Sequence, residues 1–199
     1  MTTETRRAVT LMLKNKRLGF VDLAEPRSIN GGKPVFGMRI IVDPTDADAK
    51  AIDAAIVEVA ATQWKDKGPA VLDMLYDKGR VAYLKKDYRN LKGDVYKGFE
   101  GMYSLGASSP GDKPPACYDE FGRQLAPSEI ARKIYSGCFA HVKVEVYPLL
   151  RDDGNRVSCA ILGVMFAGEG EAFGGGSPMA TADDFAGLTK AAPDASDFL

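Results

Sequence analysis

Apolar positions recur at period two along the first stretch of the chain. Val9, Leu11 and Leu13 interleave with Thr10, Met12 and Lys14, the signature of a strand. Lys14-Asn15-Lys16-Arg17 reads as a short basic turn, and Leu18 to Leu23 as a second strand. Asn30-Gly31-Gly32 is a turn signal before a third, Val35 to Val42, in which Phe36, Met38, Ile40 and Val42 share one face and Arg39 points the other way. The period then changes. Thr45-Asp46-Ala47-Asp48 has the form of a capping box, and Ile52, Ile56 and Val59 recur at helical spacing out to about Trp64. Gly68-Pro69 stops that helix, and Ala70 to Asp77 predicts a second short helical piece. Arg80 to Tyr103 has little regular periodicity. Beyond it the pattern predicts a strand over Met102 to Ala107, a Pro/Gly/Ser loop over Ser108 to Pro115, a tight turn over Tyr118 to Arg123 and a short helix over Pro127 to Tyr135. The strongest strands come last. Cys138, Ala140, Val142, Val144 and Val146 make a clean apolar face, Asp152-Asp153-Gly154-Asn155 turns the chain, and Val157 to Phe166 returns, a long β-hairpin.

The predicted class is mainly β: a β-barrel with inserted helices, of the small, partly open Greek-key type known as the OB-fold. A β-sandwich fits less well, because six or seven strand candidates are spread among helices. A body of this length is expected to form one domain with a substantial core.

Charge divides the chain into two parts. From Glu169 onward it is Gly-rich and acidic, with Glu169, Glu171, Asp183, Asp184, Asp194 and Asp197 against one cation, Lys190, a net −5. The whole chain carries −1, so residues 1–168 carry +4. The expected organisation is a nucleic-acid-binding barrel over 1–168 and a Gly-rich linker with an acidic, flexible tail over 169–199. Such a tail can occupy a basic groove of its own body, or present Phe185 and Phe198 with Asp183, Asp184 and Asp197 to a partner. Met1 to Arg7 lacks the apolar segment of a secretory signal, and no apolar run is long enough for a membrane span, so a cytoplasmic location is expected.

The segment between the two halves of the barrel carries the candidate chemistry. Cations (Arg80, Lys85, Lys86, Arg89, Lys92, Lys97) interleave there with rings (Tyr83, Tyr88, Tyr96, Phe99, Tyr103). Cations track phosphates, and each ring offers a face on which any base can stack, at about 1–3 kcal/mol per base. The competing reading places several rings in the core and the lysines on a solvated face. Interleaving favours binding for the segment as a whole, with Lys85, Lys86, Arg89, Lys92 and Lys97 on phosphates and Tyr88, Tyr96, Phe99 and Tyr103 on bases. Arg39 fits a phosphate ligand and a half-exposed strand residue equally well, and His141, alone on the mixed face of its strand, fits a surface or stacking residue better than a catalyst. Lys14, Lys16, Arg17 and Lys33 are expected in turns, where they could rim a groove or simply be solvated.

Other chemistries find no support. Cys117, Cys138 and Cys159 are widely spaced and read as small buried apolar residues, and one histidine in the chain argues against zinc. Gly174 to Gly176 opens no helix and has acidic neighbours, which excludes a phosphate loop. No hydrolase or metalloprotease motif occurs, so neither an enzyme nor a cofactor is expected.

Three blocks resemble a known family: Tyr96 to Pro110, Tyr135 to Tyr147, and Asn155 to Phe166 followed by Gly170 to Gly176. Their order is similar to that of phage single-stranded DNA-binding proteins with an OB-fold and an acidic C-terminal tail. The resemblance implies a non-enzymatic protein that coats single-stranded DNA in phage replication, recombination and repair inside the bacterial host. It also implies a tail that contacts replication or recombination proteins, and it allows a homo-oligomer. Comparable tails often end on Phe, whereas here Leu199 follows Phe198. A β-barrel protein-interaction module and an RNA-binding protein are the alternatives.

Overall fold

The computed structural model describes residues 8–28 and 31–174. Seven strands and three α-helices occur among them, in the order β1 (Val9–Arg27), β2 (Val35–Val42), α1 (Ala47–Trp64), α2 (Gly68–Asp77), β3 (Tyr83–Leu84), β4 (Tyr103–Pro110), β5 (Ala116–Tyr118), α3 (Pro127–Lys133), β6 (Phe139–Leu149) and β7 (Arg156–Gly168), with one 3-10 turn, Lys65–Lys67, joining α1 to α2. Antiparallel pairings run β4-β2-β1-β6-β7, and a parallel contact between Ser108 of β4 and Ala160 of β7 closes the ring. Five strands in that order form the closed barrel of an OB-fold. β3 adds to β4, and β5 runs parallel along β7.

The barrel interior follows from the alternation. Phe36, Met38, Ile40 and Val42 of β2, and Ala140, Val142, Val144 and Val146 of β6 after Cys138, are all buried. α1 lays its buried stripe, Ala49, Ile52, Ile56 and Val59, against β1 and β6. Its N-cap is Asp46, whose carboxylate accepts from the Asp48 amide. The three cysteines are free and buried in this core, and burial pushes the Cys117 thiol to about 11 and that of Cys159 to about 12.

Two expectations about local structure are corrected. Lys14 to Arg17 is not a turn but part of one long strand, β1, that pairs with β6 up to Arg17 and with β2 from Leu18 onward. A register shift between Leu13 and Lys16, with Asn15 at φ 51°, absorbs the extra residue as a bulge. The bulge turns Lys16 inward, where it is buried and ion-paired with Asp46 and with Asp48 (2.8 Å) at the start of α1. Lys16 therefore rims no groove. Ser108 to Pro110 likewise belong to β4 and not to a loop, because β2 extends the ladder to the pair Val35–Pro110.

Candidate nucleic-acid interface

One outer face of β1 and β2 carries the rings. On β1 a second register shift lies between Gly19 and Asp22, and Phe20 sits in it at φ 51°. That conformation is uncommon for a bulky residue and re-aims its side chain, so Phe20 stands exposed while Leu18 and Leu23 are buried. Gly19 is required beside it. A Cβ there would lie 2.7 Å from Cζ of Phe99, so only glycine lets that ring settle on the strand.

The Arg80–Tyr103 segment is held over this face by its own turn chemistry. Asn90 Oδ1 accepts from the amides of Lys92 (2.8 Å) and Asp94 (3.0 Å), and the Tyr96 amide donates to the Tyr88 carbonyl (3.0 Å). Tyr88 and Tyr96 thus face each other across a small hairpin and stack, with centroids 5.4 Å apart and planes at 24°. Phe20 meets both edge-on, at 5.3 and 4.8 Å. Phe99, 1 % exposed, lies beneath the group, 5.5 Å from Tyr88 and 5.8 Å from Phe20. Phe20, 41 % exposed, and Tyr96, 36 % exposed, are the most open rings of this group; Tyr88 is half-buried against them and Phe99 is buried below.

Cations surround the rings. Arg39 projects from β2 with its guanidinium carbon 3.9 Å from the Tyr88 centroid, and Arg17 lies 4.1 Å from the centroid of Phe173. Lys97 pairs with Glu171 at 2.5 Å, and the bond from its ammonium holds the Glu171 carboxyl below the usual glutamate value. Between Phe20, Tyr96, Lys97, Phe99, Ser136 and Phe173 lies an open cavity of about 510 Å³. The combination of stacking rings and guanidinium or ammonium groups suits a ligand made of flat bases joined by phosphates.

The other candidate residues are placed elsewhere or occupied otherwise. Lys85 pairs with Asp53 of α1 at 2.5 Å and lies over the rings of Tyr76 and Tyr83. Arg89 folds back onto Asp87 and the Gly93 carbonyl, both at 2.8 Å, while Lys86 and Lys92 are exposed. Tyr103 packs edge-on against Tyr83, 5.9 Å away, beside the core. Arg80 lies against Gly154 in the β6–β7 turn. His141 of β6 accepts at Nδ1 from the Asn15 amide (3.1 Å) across the bulge of β1. Asp183, Asp184, Phe185, Asp197 and Phe198 lie outside the described residues. Among the described residues no cluster of three or more His, Cys, Asp or Glu could hold a metal, and no helix is long and apolar enough to cross a membrane.

Phe20 and Phe173 were not singled out by sequence reasoning, and Arg17 was named only among the cations that could rim a groove. Phe20 looked like one more strand residue, because alternation cannot announce a bulge.

Residues 9–199 match the family model described as the ssDNA-binding protein of Enterobacter phage Enc34. The chain belongs to this family. Protein p50 of Acyrthosiphon pisum secondary endosymbiont phage 1 is 27% identical over 183 residues, covering 91% of this chain and 95% of that protein. Among solved structures, the single-stranded DNA-binding protein from bacteriophage Enc34 in complex with ssDNA shares the fold with a TM-score of 0.67 at 21% identity, over 83% of this chain and 89% of that one. The single-stranded DNA-binding protein gp2.5 of bacteriophage T7 superposes with a TM-score of 0.52 at 13% identity, over 94% and 96% of the two chains. The OB barrel and the phage family expected from the sequence are both borne out.

Proposed function

We propose that the protein binds single-stranded DNA with little sequence preference and does no chemistry on it. In this reading the barrel of residues 1–168, with the stretch up to Gly174 packed on it, forms the binding body, and the acidic tail that follows meets replication or recombination proteins in the infected host cell. The observation that carries the reading is the exposed pair Phe20 and Tyr96, held by Tyr88 and Phe99 with Arg17, Arg39 and Lys97 beside them on the outside of the barrel. Rings need unstacked bases, which a duplex hides. Cations on phosphates make affinity fall with salt as counterions are released. The Enc34 protein, a member of the matched family, is described in complex with ssDNA, which supports the same ligand here.

The test is a titration of the full chain with single-stranded DNA, duplex DNA and RNA of equal length at two salt concentrations. The reading requires the single strand to bind far more tightly than the duplex, and more weakly at the higher salt. Equal affinity for single strand and duplex would overturn it. Tighter binding to RNA than to DNA would change the substrate while keeping the stacking surface.

A further inference from the structure

The chain does not leave the body at the end of β7. Glu169 to Gly174 runs back across the ring-bearing face as a strap. The Tyr135 hydroxyl donates to the Gly170 carbonyl (2.8 Å) and accepts from the Gly170 amide (3.1 Å). Arg17 donates to the Glu171 carbonyl (2.9 Å), and the Phe173 amide donates to the Ser136 carbonyl (2.8 Å). The Phe173 ring lies on the Arg17 guanidinium and butts against Gly98, at φ 83°, where any Cβ would collide with it.

A strap over a binding face could be a plug that the ligand evicts or a wall that the ligand uses. A plug would fill the space it guards. Here a cavity of about 510 Å³ stays open with the strap in place, and Phe173 lines it together with Tyr96 and Phe20. That volume lies in the usual range for small-ligand pockets. The strap is also tied to β1, to the Tyr135–Gly137 corner and to Lys97 by separate contacts, the pattern of an integral part of the body.

We propose that the strap is the outer wall of a pocket for one unstacked nucleobase, with Phe173 as a base-contacting ring and Lys97 as the ligand of the adjoining phosphate. The proposal rests on the single-stranded DNA reading above. The Glu171 carboxylate holds the place that the phosphate takes. Exposed ion pairs are weak, so a phosphate can take Lys97 over at little cost.

The full chain, wild type and with Phe173→Leu, Phe173→Ala or Phe173→Trp, is titrated with oligothymidylate at two salt concentrations, and each variant's thermal midpoint is measured. Leucine keeps the apolar contact on Arg17 and Gly98 but removes the aromatic face. Phe173→Leu should therefore bind about tenfold more weakly at an unchanged midpoint and salt slope, and Phe173→Trp should restore affinity. Wild-type affinity in Phe173→Leu overturns the proposal. Tighter binding by Phe173→Ala marks a plug and overturns it as well. Failure of the wild type to bind would instead remove the single-strand reading itself. Should the variants fail to fold, photocrosslinking of a 5-iodouracil-substituted oligonucleotide to the wild type decides. An adduct at Phe173 supports the wall, and adducts confined to other rings overturn it.

Discussion

The guanidinium carbon of Arg39 lies 3.9 Å from the centre of the Tyr88 ring, and its Nη1 donates to Ser104 Oγ at 3.0 Å. One side chain on β2 therefore ties the aromatic hairpin to β4 as well as supplying a cation. A planar guanidinium does both, whereas an ammonium supplies only charge. Arg39→Ala should weaken single-stranded DNA binding about fivefold to tenfold, with Arg39→Lys between it and the wild type. Wild-type affinity in Arg39→Lys would show that charge alone matters at this position.

The rings divide into those that face solvent and those that hold them. Tyr96→Ala and Phe20→Ala should each cost about 1–3 kcal/mol of binding with a salt slope close to wild type, because they remove stacking and no charge. Phe99→Ala should instead cost about 3 kcal/mol of folding stability, since its ring is buried beneath the cluster. Denaturant unfolding beside the binding titration separates the two. A Phe99→Ala protein as stable as wild type would contradict this division.

Salt dependence should sort the lysines. Lys86 and Lys92 are exposed, whereas Lys85 faces Asp53. If Lys86 or Lys92 contacts a phosphate, its replacement by alanine lowers the log–log salt slope by about 0.7. Lys85→Ala should lower it by less. A larger loss at Lys85 than at Lys86 would mean that the pair with Asp53 opens when DNA binds.

The buried Lys16 makes stability depend on pH at both ends. Asp46 is held below the ordinary aspartate value of 3.8, first by the hydrogen bond from Lys16 and then by its own capping bond to Asp48. Its share of stability is present above 3.8 and is lost as pH falls through the lower, folded-state value. Burial pulls the Lys16 ammonium down, but its bonds to Asp46 and Asp48 outweigh that and raise it above 10.5. That share is present below 10.5 and is lost as pH rises through the raised value. Lys16→Met should melt at a lower temperature at neutral pH and lose less on acidification from pH 5 to 3. Parallel melting curves for the two proteins across that interval would rule out the linkage.

The acidic tail should compete with DNA for the body. Deleting residues 177–199 removes Asp183, Asp184, Asp194 and Asp197 with Lys190 and leaves the strap. The deletion should tighten single-strand binding, most at low salt, without lowering the melting temperature. Phe198→Ala keeps the charge. It should leave DNA affinity nearly unchanged while weakening capture of a polymerase, helicase or nuclease partner. Unchanged DNA affinity after the deletion would remove the competition, and full partner capture after it would remove the docking role.

Local order determined much of this protein. The alternation from Cys138 to Val146, the stripe Ile52, Ile56, Val59 and the Asp/Gly/Asn turn at 152–155 each state their element, because a strand or helix that buries one face must repeat its apolar residues at its own period. The interleaved cations and rings also pointed to the segment that supplies Tyr88, Tyr96, Lys97 and Phe99 to the ring cluster. What the tertiary structure decided lies where one residue departs from a period. Lys14 to Arg17 looks like a turn by composition, and only the partners Asp46 and Asp48, thirty residues away in the chain, make a buried lysine tolerable inside a continuous strand. Phe20 faces outward because a bulge reverses its side, and Phe99 settles beneath it because Gly19 leaves room. Lys85 and Arg80 are drawn away from the rings by Asp53 and by the turn at Gly154. Phe173, in a stretch that reads as an acidic linker, returns to the barrel through contacts with Arg17, Gly98 and Ser136, none of which neighbours it in sequence. Period and composition act over a few residues, whereas a site on a closed barrel is assembled across strands, and here the ring hairpin, the strap and the Tyr135–Gly137 corner all meet at β1.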